Sequence, residues 1–145
     1  EQLTKFKSGI RGKHPKHSAG IRMYSMARML SDDNIQHVAA YIEKLKVVKP
    51  AQTMKGDPLA GKKIYVVCSA CHGPEGAGNK ILNSPPLTHT NDWYLYQSVL
   101  NYRNGIRASS PQKDPKGYAM VPISKQIKSE KDIADVVAYI RTLKN

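Results

Sequence analysis

Cys68-Ser69-Ala70-Cys71-His72 is the stretch on which the reading of this chain turns. Two thiols three residues apart on a helical turn can each form a thioether to one vinyl group of a porphyrin. The next residue, His72, then lies under the ring and offers an imidazole nitrogen to iron. The pentapeptide is therefore the attachment signature of c-type haem. A bare CxxC has two other readings. A reversible disulfide wants a thioredoxin-like βαβ context, which this chain lacks. Half a zinc site wants a second ligand pair, and Cys68 and Cys71 are the only cysteines.

The flanking sequence is helical on both sides. Asp57-Pro58 reads as N-cap and N1 of a helix that continues through Ala60, Gly61, Ile64, Tyr65 and Val67 into the cysteines. Gly73-Pro74-Glu75-Gly76-Ala77-Gly78 is then a loop that can be neither helix nor strand. Residues 93–103, from Trp93 to Arg103, form an amphipathic helix ended by Asn104-Gly105. From Asp132 to Leu143, the residues Ile133, Val136, Val137, Ile140 and Leu143 share one helical stripe. No β segment emerges, and the expected class is all-α.

Composition narrows the field. A length of 145 residues allows one domain or two very small ones. No run of 18 or more apolar residues is present, so no membrane span is expected. Two cysteines are too few for a disulfide scaffold, and no signal peptide is visible. Lys and Arg number 23 against 11 acidic residues, a net charge of +12. The excess divides evenly about residue 53, with no lysine block, so a nucleic-acid tail is not expected. A surface that meets redox partners with acidic docking faces is.

The ordered elements resemble the class I cytochrome c family, in the small bacterial form found in dihaem, c4-like cytochromes. They run Gly56-Asp57-Pro58-Leu59-Ala60-Gly61, Cys68-Ser69-Ala70-Cys71-His72-Gly73 and Pro85-Pro86-Leu87, then Tyr102-Arg103-Asn104-Gly105-Ile106-Arg107. Gly117-Tyr118-Ala119-Met120-Val121-Pro122 and Asp132-Ile133-Ala134-Asp135-Val136-Val137-Ala138-Tyr139-Ile140 complete the set. The resemblance implies a complete cytochrome c fold over residues 54–145 and covalent haem c at Cys68 and Cys71. It implies Met120 as the second axial ligand opposite His72. Met120 reads as an irregular-loop residue off any apolar stripe, which agrees, and a soft thioether favours Fe(II). His89 is the rival ligand and Met54 a weaker third. The resemblance also implies that the Pro86 carbonyl accepts from His72 Nδ1 and that Gly61 packs face to face with Tyr139. Trp93, Tyr94, Arg103 and Arg107 are its candidates for holding haem propionates, although each also reads as exposed helix or ordinary core.

The first fifty residues repeat part of this pattern. Residues 2–11 resemble 98–107 at an offset of 96, Gly20-Ile21-Arg22-Met23 resembles Gly117-Tyr118-Ala119-Met120 at 97, and 34–42 resembles 132–140 at 98. Residues 1–48 are thus expected to be the C-terminal half of a first cytochrome c-like domain, joined by a linker at 49–53. On that reading Met23 would be a metal ligand to a second haem held by an upstream segment. An adapted helical extension without haem is the milder alternative. Ile35, Val38, Ile42 and Leu45 form an apolar stripe that needs a cover. Met23, Met26 and Met29 suggest a copper site less well than packing. His14 and His17 read as a basic loop and His37 as a solvated helix position.

With His/Met ligation no coordination position stays open, so the expected function is one-electron transfer rather than catalysis. Two rivals differ in kind: a dihaem peroxidase or thiosulfate-type dehydrogenase, and the cytochrome c module of a terminal oxidase subunit II. Haem c is attached outside the cytoplasm, which points to the bacterial periplasm, soluble or tethered. Expected partners are redox proteins of a respiratory chain, such as a terminal oxidase or reductase.

Overall fold

A computed structural model describes residues 1–144. The first part of the chain holds α1 (Gln2–Lys7), α2 (Ser18–Arg28) and α3 (Asp32–Glu43). The second part holds α4 (Pro58–His72), α5 (Asp92–Arg103), α6 (Pro115–Tyr118), α7 (Met120–Gln126) and α8 (Glu130–Thr142). Among the described residues there is no strand, only an isolated bridge between Asn79 and Ser84. The all-α expectation holds.

Local chemistry sets the helix starts. The Asp57 side chain accepts from Leu59 N at 2.8 Å and Ala60 N at 3.3 Å, with Pro58 in the first turn, where its missing N–H costs nothing. Ser129 and Asp132 form a capping box at α8, each side chain bonding the other's backbone N–H at 3.0 Å. The α8 stripe is buried as its spacing predicts: Ile133, Val136, Val137, Ile140 and Leu143 all belong to the main core, with Tyr65, Leu95 and Leu100.

The tightest crossing is α4 on α8. A Cβ at Gly61 would run into the backbone carbonyl of Asp135, so only glycine lets the two helices approach this closely. The backbone atoms nearest that position belong to Asp135 and Val136, next to the turn that carries Tyr139. Tyr139 packs on Tyr65, ring centroids 5.2 Å apart and tilted by 57°. Asp135, one helical turn before Tyr139, sits at the crossing point. Its buried carboxylate accepts from Asp57 N at 2.8 Å and from Lys131 at 2.6 Å. From α4 the packing runs to α8, then α5, then α7, and α7 meets α6.

Met120 departs from its expectation too. It is the first residue of α7 and not part of an irregular loop. Pro122 supplies the cause, because its ring cannot coexist with an intact helix through the carbonyl four residues earlier, at Tyr118. The helix breaks there into α6 and α7. In the first half the counterpart of Pro122 is Ser25, and α2 runs unbroken through Met23.

In that first half α1 packs on α2, burying Phe6 and Ala27. On α3 only Ile35 is buried, while Val38, Ile42 and Leu45 of the same stripe are exposed. The linker is lashed down. Arg141 donates to the Pro50 carbonyl, Lys49 to Leu143 O at 3.3 Å, and Thr53 and Met54 to the Asp92 carboxylate at 2.6–2.9 Å.

Gly61→Ala is expected to lower the unfolding free energy of the haem-loaded protein by about 2 kcal/mol, the usual cost of overpacking, read from guanidinium denaturation. For Asp92, burial opposes the charge, yet the hydrogen bonds from Thr53, Met54 and Trp93 hold its pKa down at about 2 against an ordinary 3.8. A depressed carboxylate contributes stability above 3.8 that is lost as pH falls through about 2. Asp92→Asn should flatten the stability curve in that window, measured by thermal unfolding at successive pH values.

Candidate haem site

The last turn of α4 carries Cys68, Cys71 and His72. Gly73, with a φ of 80°, stops the helix, and the chain turns back so that Gly78 N donates to His72 O at 2.8 Å. Tyr65 OH closes the same corner by donating to Gly73 O at 2.8 Å. The loop then brings Pro85 beside the imidazole: His72 Nδ1 lies 2.8 Å from the Pro85 carbonyl. This corrects the expectation for Pro86, whose own carbonyl is not the acceptor. The two prolines are adjacent, and a one-residue register within such a pair has no local sequence signal. Pro86 does line the cavity described below.

A carbonyl only accepts, so Nδ1 carries the proton and Nε2 keeps its lone pair. Burial lowers the imidazole pKa, against the opposing pull of the Pro85 bond, and His72 stays neutral and able to ligate. Burial, with Cys71 next, pushes the Cys68 thiol up to about 11. That is the opposite of the depressed thiol of a redox CxxC.

These groups open onto a cavity of about 600 Å³, within the usual range for a small-molecule or cofactor site. Cys68, Cys71 and His72 lie on its wall, and so does Met120. Val136, Val137 and Ile140 of α8 and Leu95 and Val99 of α5 add an apolar lining, while Arg107 and Lys116 bring positive charge. An apolar slot with two thiols, an unprotonated imidazole nitrogen, a thioether and cations suits a flat porphyrin with anionic propionates. The residues present fit haem c.

The other sequence candidates divide cleanly. Tyr94 and Arg107 line the cavity; Trp93 and Arg103 do not. Trp93 is 53% exposed, packed edge-on to Tyr94, and Arg103 donates to Ile127 O at 3.4 Å. Arg107 lies over the Tyr102 ring at 4.6 Å, and Tyr94 OH accepts from Arg11 at 3.1 Å. Of the rival ligands, His89 is exposed beside Thr88 and Met54 is half-buried at the linker; neither reaches the cavity. Met23 lies outside this cavity as well, and Met26 and Met29 are exposed. No group of three or more His, Cys, Asp or Glu residues is placed to hold a metal ion among the described residues. The sequence missed Glu1 and, on α1, Gln2 and Lys5, which line the same cavity. Nothing local marks a helix for docking on another unit.

The Cytochrome c family profile matches residues 59–144, more than half of the chain. The chain belongs to the cytochrome c family. Among relatives, cytochrome c-554(548) of Halomonas halodenitrificans is 37% identical over 84 residues, covering 58% of this chain and 93% of that one. Cytochrome c4 of Azotobacter vinelandii is 28% identical over 158 residues, covering 99% of this chain and 70% of its own length. The solved structure of Acidithiobacillus ferrooxidans cytochrome c4 superposes with a TM-score of 0.78 at 25% identity, over 98% of this chain and 80% of that one. This cytochrome c is thus a haem c protein of electron transfer. No helix among its described residues is long and apolar enough to cross a membrane.

Covalent attachment has a direct check. The denatured holoprotein of this cytochrome c should give no reaction with iodoacetamide, since both sulfurs are thioethers, and should keep its colour through acidified butanone. Reaction at either cysteine would contradict the double tether.

Proposed function

We propose that this cytochrome c is a periplasmic one-electron carrier of the dihaem type, with His72 and Met120 as the axial ligands of the haem tethered at Cys68 and Cys71. The observation that carries this reading is the sharing of one cavity by His72 and Met120, while His89 and Met54 lie away from it. Haem, when bound, supplies a metal that accepts and returns one electron. The Pro85 carbonyl orients the imidazole and fixes its tautomer. The apolar lining from α5 and α8 excludes water, which limits reorganisation. In this reading Tyr94 and Arg107, both on the cavity wall, take a propionate carboxylate. With both axial positions held by side chains, no site remains for substrate, and the role is carrier rather than enzyme, alone or as a subunit of a larger oxidoreductase. The net charge of +12 fits redox partners with acidic faces, where it speeds encounter more than it tightens binding.

Within this reading residues 1–48 are the C-terminal half of a first cytochrome c-like domain, 49–53 the linker and 54–145 the second domain. The exposed stripe of Val38, Ile42 and Leu45 supports it. So does the stacking of Arg11 over Phe6 at 4.5 Å, which repeats that of Arg107 over Tyr102. Met23 is then the axial ligand of that first domain's haem.

Single substitutions separate the two methionines. In the ferric chain carrying one haem, Met120→Ala should abolish the near-infrared sulfur-to-ferric band. It should also lower the reduction potential by on the order of 0.1–0.3 V, part of the roughly 0.8 V range that axial ligands command. Met23→Leu should leave both unchanged. A band that survives Met120→Ala and disappears in Met23→Leu would overturn the assignment.

A further inference from the structure

We propose that Lys5, on α1 of the first half, is a positioning residue for the Met120 ligand of the second half, acting through Asp114. The inference rests on Met120 as the second iron ligand. Lys5 Nζ lies 2.8 Å from Asp114 Oδ1 and 2.7 Å from Glu1 Oε1. The Lys5 and Asp114 side chains are only 15% and 8% exposed, so this is not a solvated surface pair of negligible worth.

Asp114 has a second task. Its Oδ1 also accepts from Gly117 N at 3.0 Å and caps α6. Four residues cannot sustain a helix alone, so α6 depends on that cap. Its last residue, Tyr118, stands two positions before Met120, beyond the break imposed by Pro122. The cap therefore sets the direction in which the chain enters Met120. Without the ammonium of Lys5, Asp114 would be a nearly buried carboxylate short of its cation, and such a group relaxes toward water. Lys5, Asp114, Gly117 and Met120 all line the one cavity.

The internal repeat shows that the contact belongs to the way the halves fit. Lys5 corresponds to Asn101, and Asp114 to His17. Asn101 Nδ2 lies 3.4 Å from His17 Nε2. His17 is the N-cap of α2, which carries Met23, as Asp114 is the N-cap of α6. At the matching glycines, Gly20 and Gly117, the N-cap side chain folds over the position a Cβ would take. Each half thus extends a helix to the residue that caps the other half's methionine segment, the reciprocity of a two-fold interface. Only in the direction of Met120 is the contact an ion pair.

The test is titration of the ferric holoprotein with imidazole, following loss of the sulfur-to-ferric band, in Lys5→Met, Lys5→Arg, Asp114→Asn and the Lys5→Met/Asp114→Asn double variant. Lys5→Met and Asp114→Asn should each raise imidazole affinity about tenfold, an ordinary coupling between sites. The double variant should exceed neither, and Lys5→Arg should stay within about twofold of the parent. Unchanged affinity in Lys5→Met overturns the proposal. Additive effects overturn it too, because Lys5 would then act on the haem directly. If Asp114→Asn loses haem or helicity, the Lys5→Met and Lys5→Arg pair decides alone. A parent protein without the band removes the Met120 reading and this inference with it, an outcome distinct from a band that is present but insensitive to Lys5.

Discussion

Two helix backbones meet at Gly61 with no side chain between them, and much of the second half is arranged by that contact. Because α4 and α8 touch there, the far end of α4, with its cysteines and histidine, is carried against the apolar face of α8. Asp135 sits at the crossing and binds the backbone at the start of α4, so the same residue fixes both the separation and the entry of that helix. The cavity lies among the helices that follow: α5 packs on α8 and α7 on α5, and residues of all three face Cys68, Cys71 and His72 across its wall. Any side chain at position 61 would push α4 outward and open one wall.

The cavity chemistry follows from dryness. Behind the apolar lining, withdrawal from water keeps the imidazole neutral and, before the thioethers form, raises the Cys68 thiol pKa. The polar restraint on the His72 ring, the Pro85 carbonyl, is backbone and cannot rotate away as a side chain could. Electron transfer favours such a setting, because little has to move when the charge at the centre changes.

What could be read in advance was whatever is local. Asp57-Pro58, the heptad-like stripe on α8 and the CxxCH turn each declare themselves within a few residues, and each stands where expected. The misplacements are non-local or differ by one step. Pro85 took the role assigned to its neighbour, and the backbone of Asp135, one turn before Tyr139 on the same face, closes on Gly61. Met120 heads a helix because Pro122, two residues on, breaks the preceding one; the proline was visible, but its effect depends on the helix around it. Arg103 and Trp93 carried no mark to set them apart from Arg107 and Tyr94, since the direction of a side chain about a helix end is decided by packing. The seating of α1 at the cavity depends on scattered polar contacts between segments about a hundred residues apart, a pattern that no local period encodes.

The strap at Asp92 gives the joint between the halves a particular mechanical character. Its carboxylate grips Thr53 and Met54, while Arg141 holds Pro50 and Lys49 reaches Leu143, so the segment between α3 and α4 is a splice and not a leash. On the proposed dihaem reading, a second centre carried by the first half would be held at a set distance from the haem tethered at Cys68 and Cys71. Electron tunnelling falls off steeply with gap width, so on that reading the strap would narrow the spread of transfer rates between the two centres.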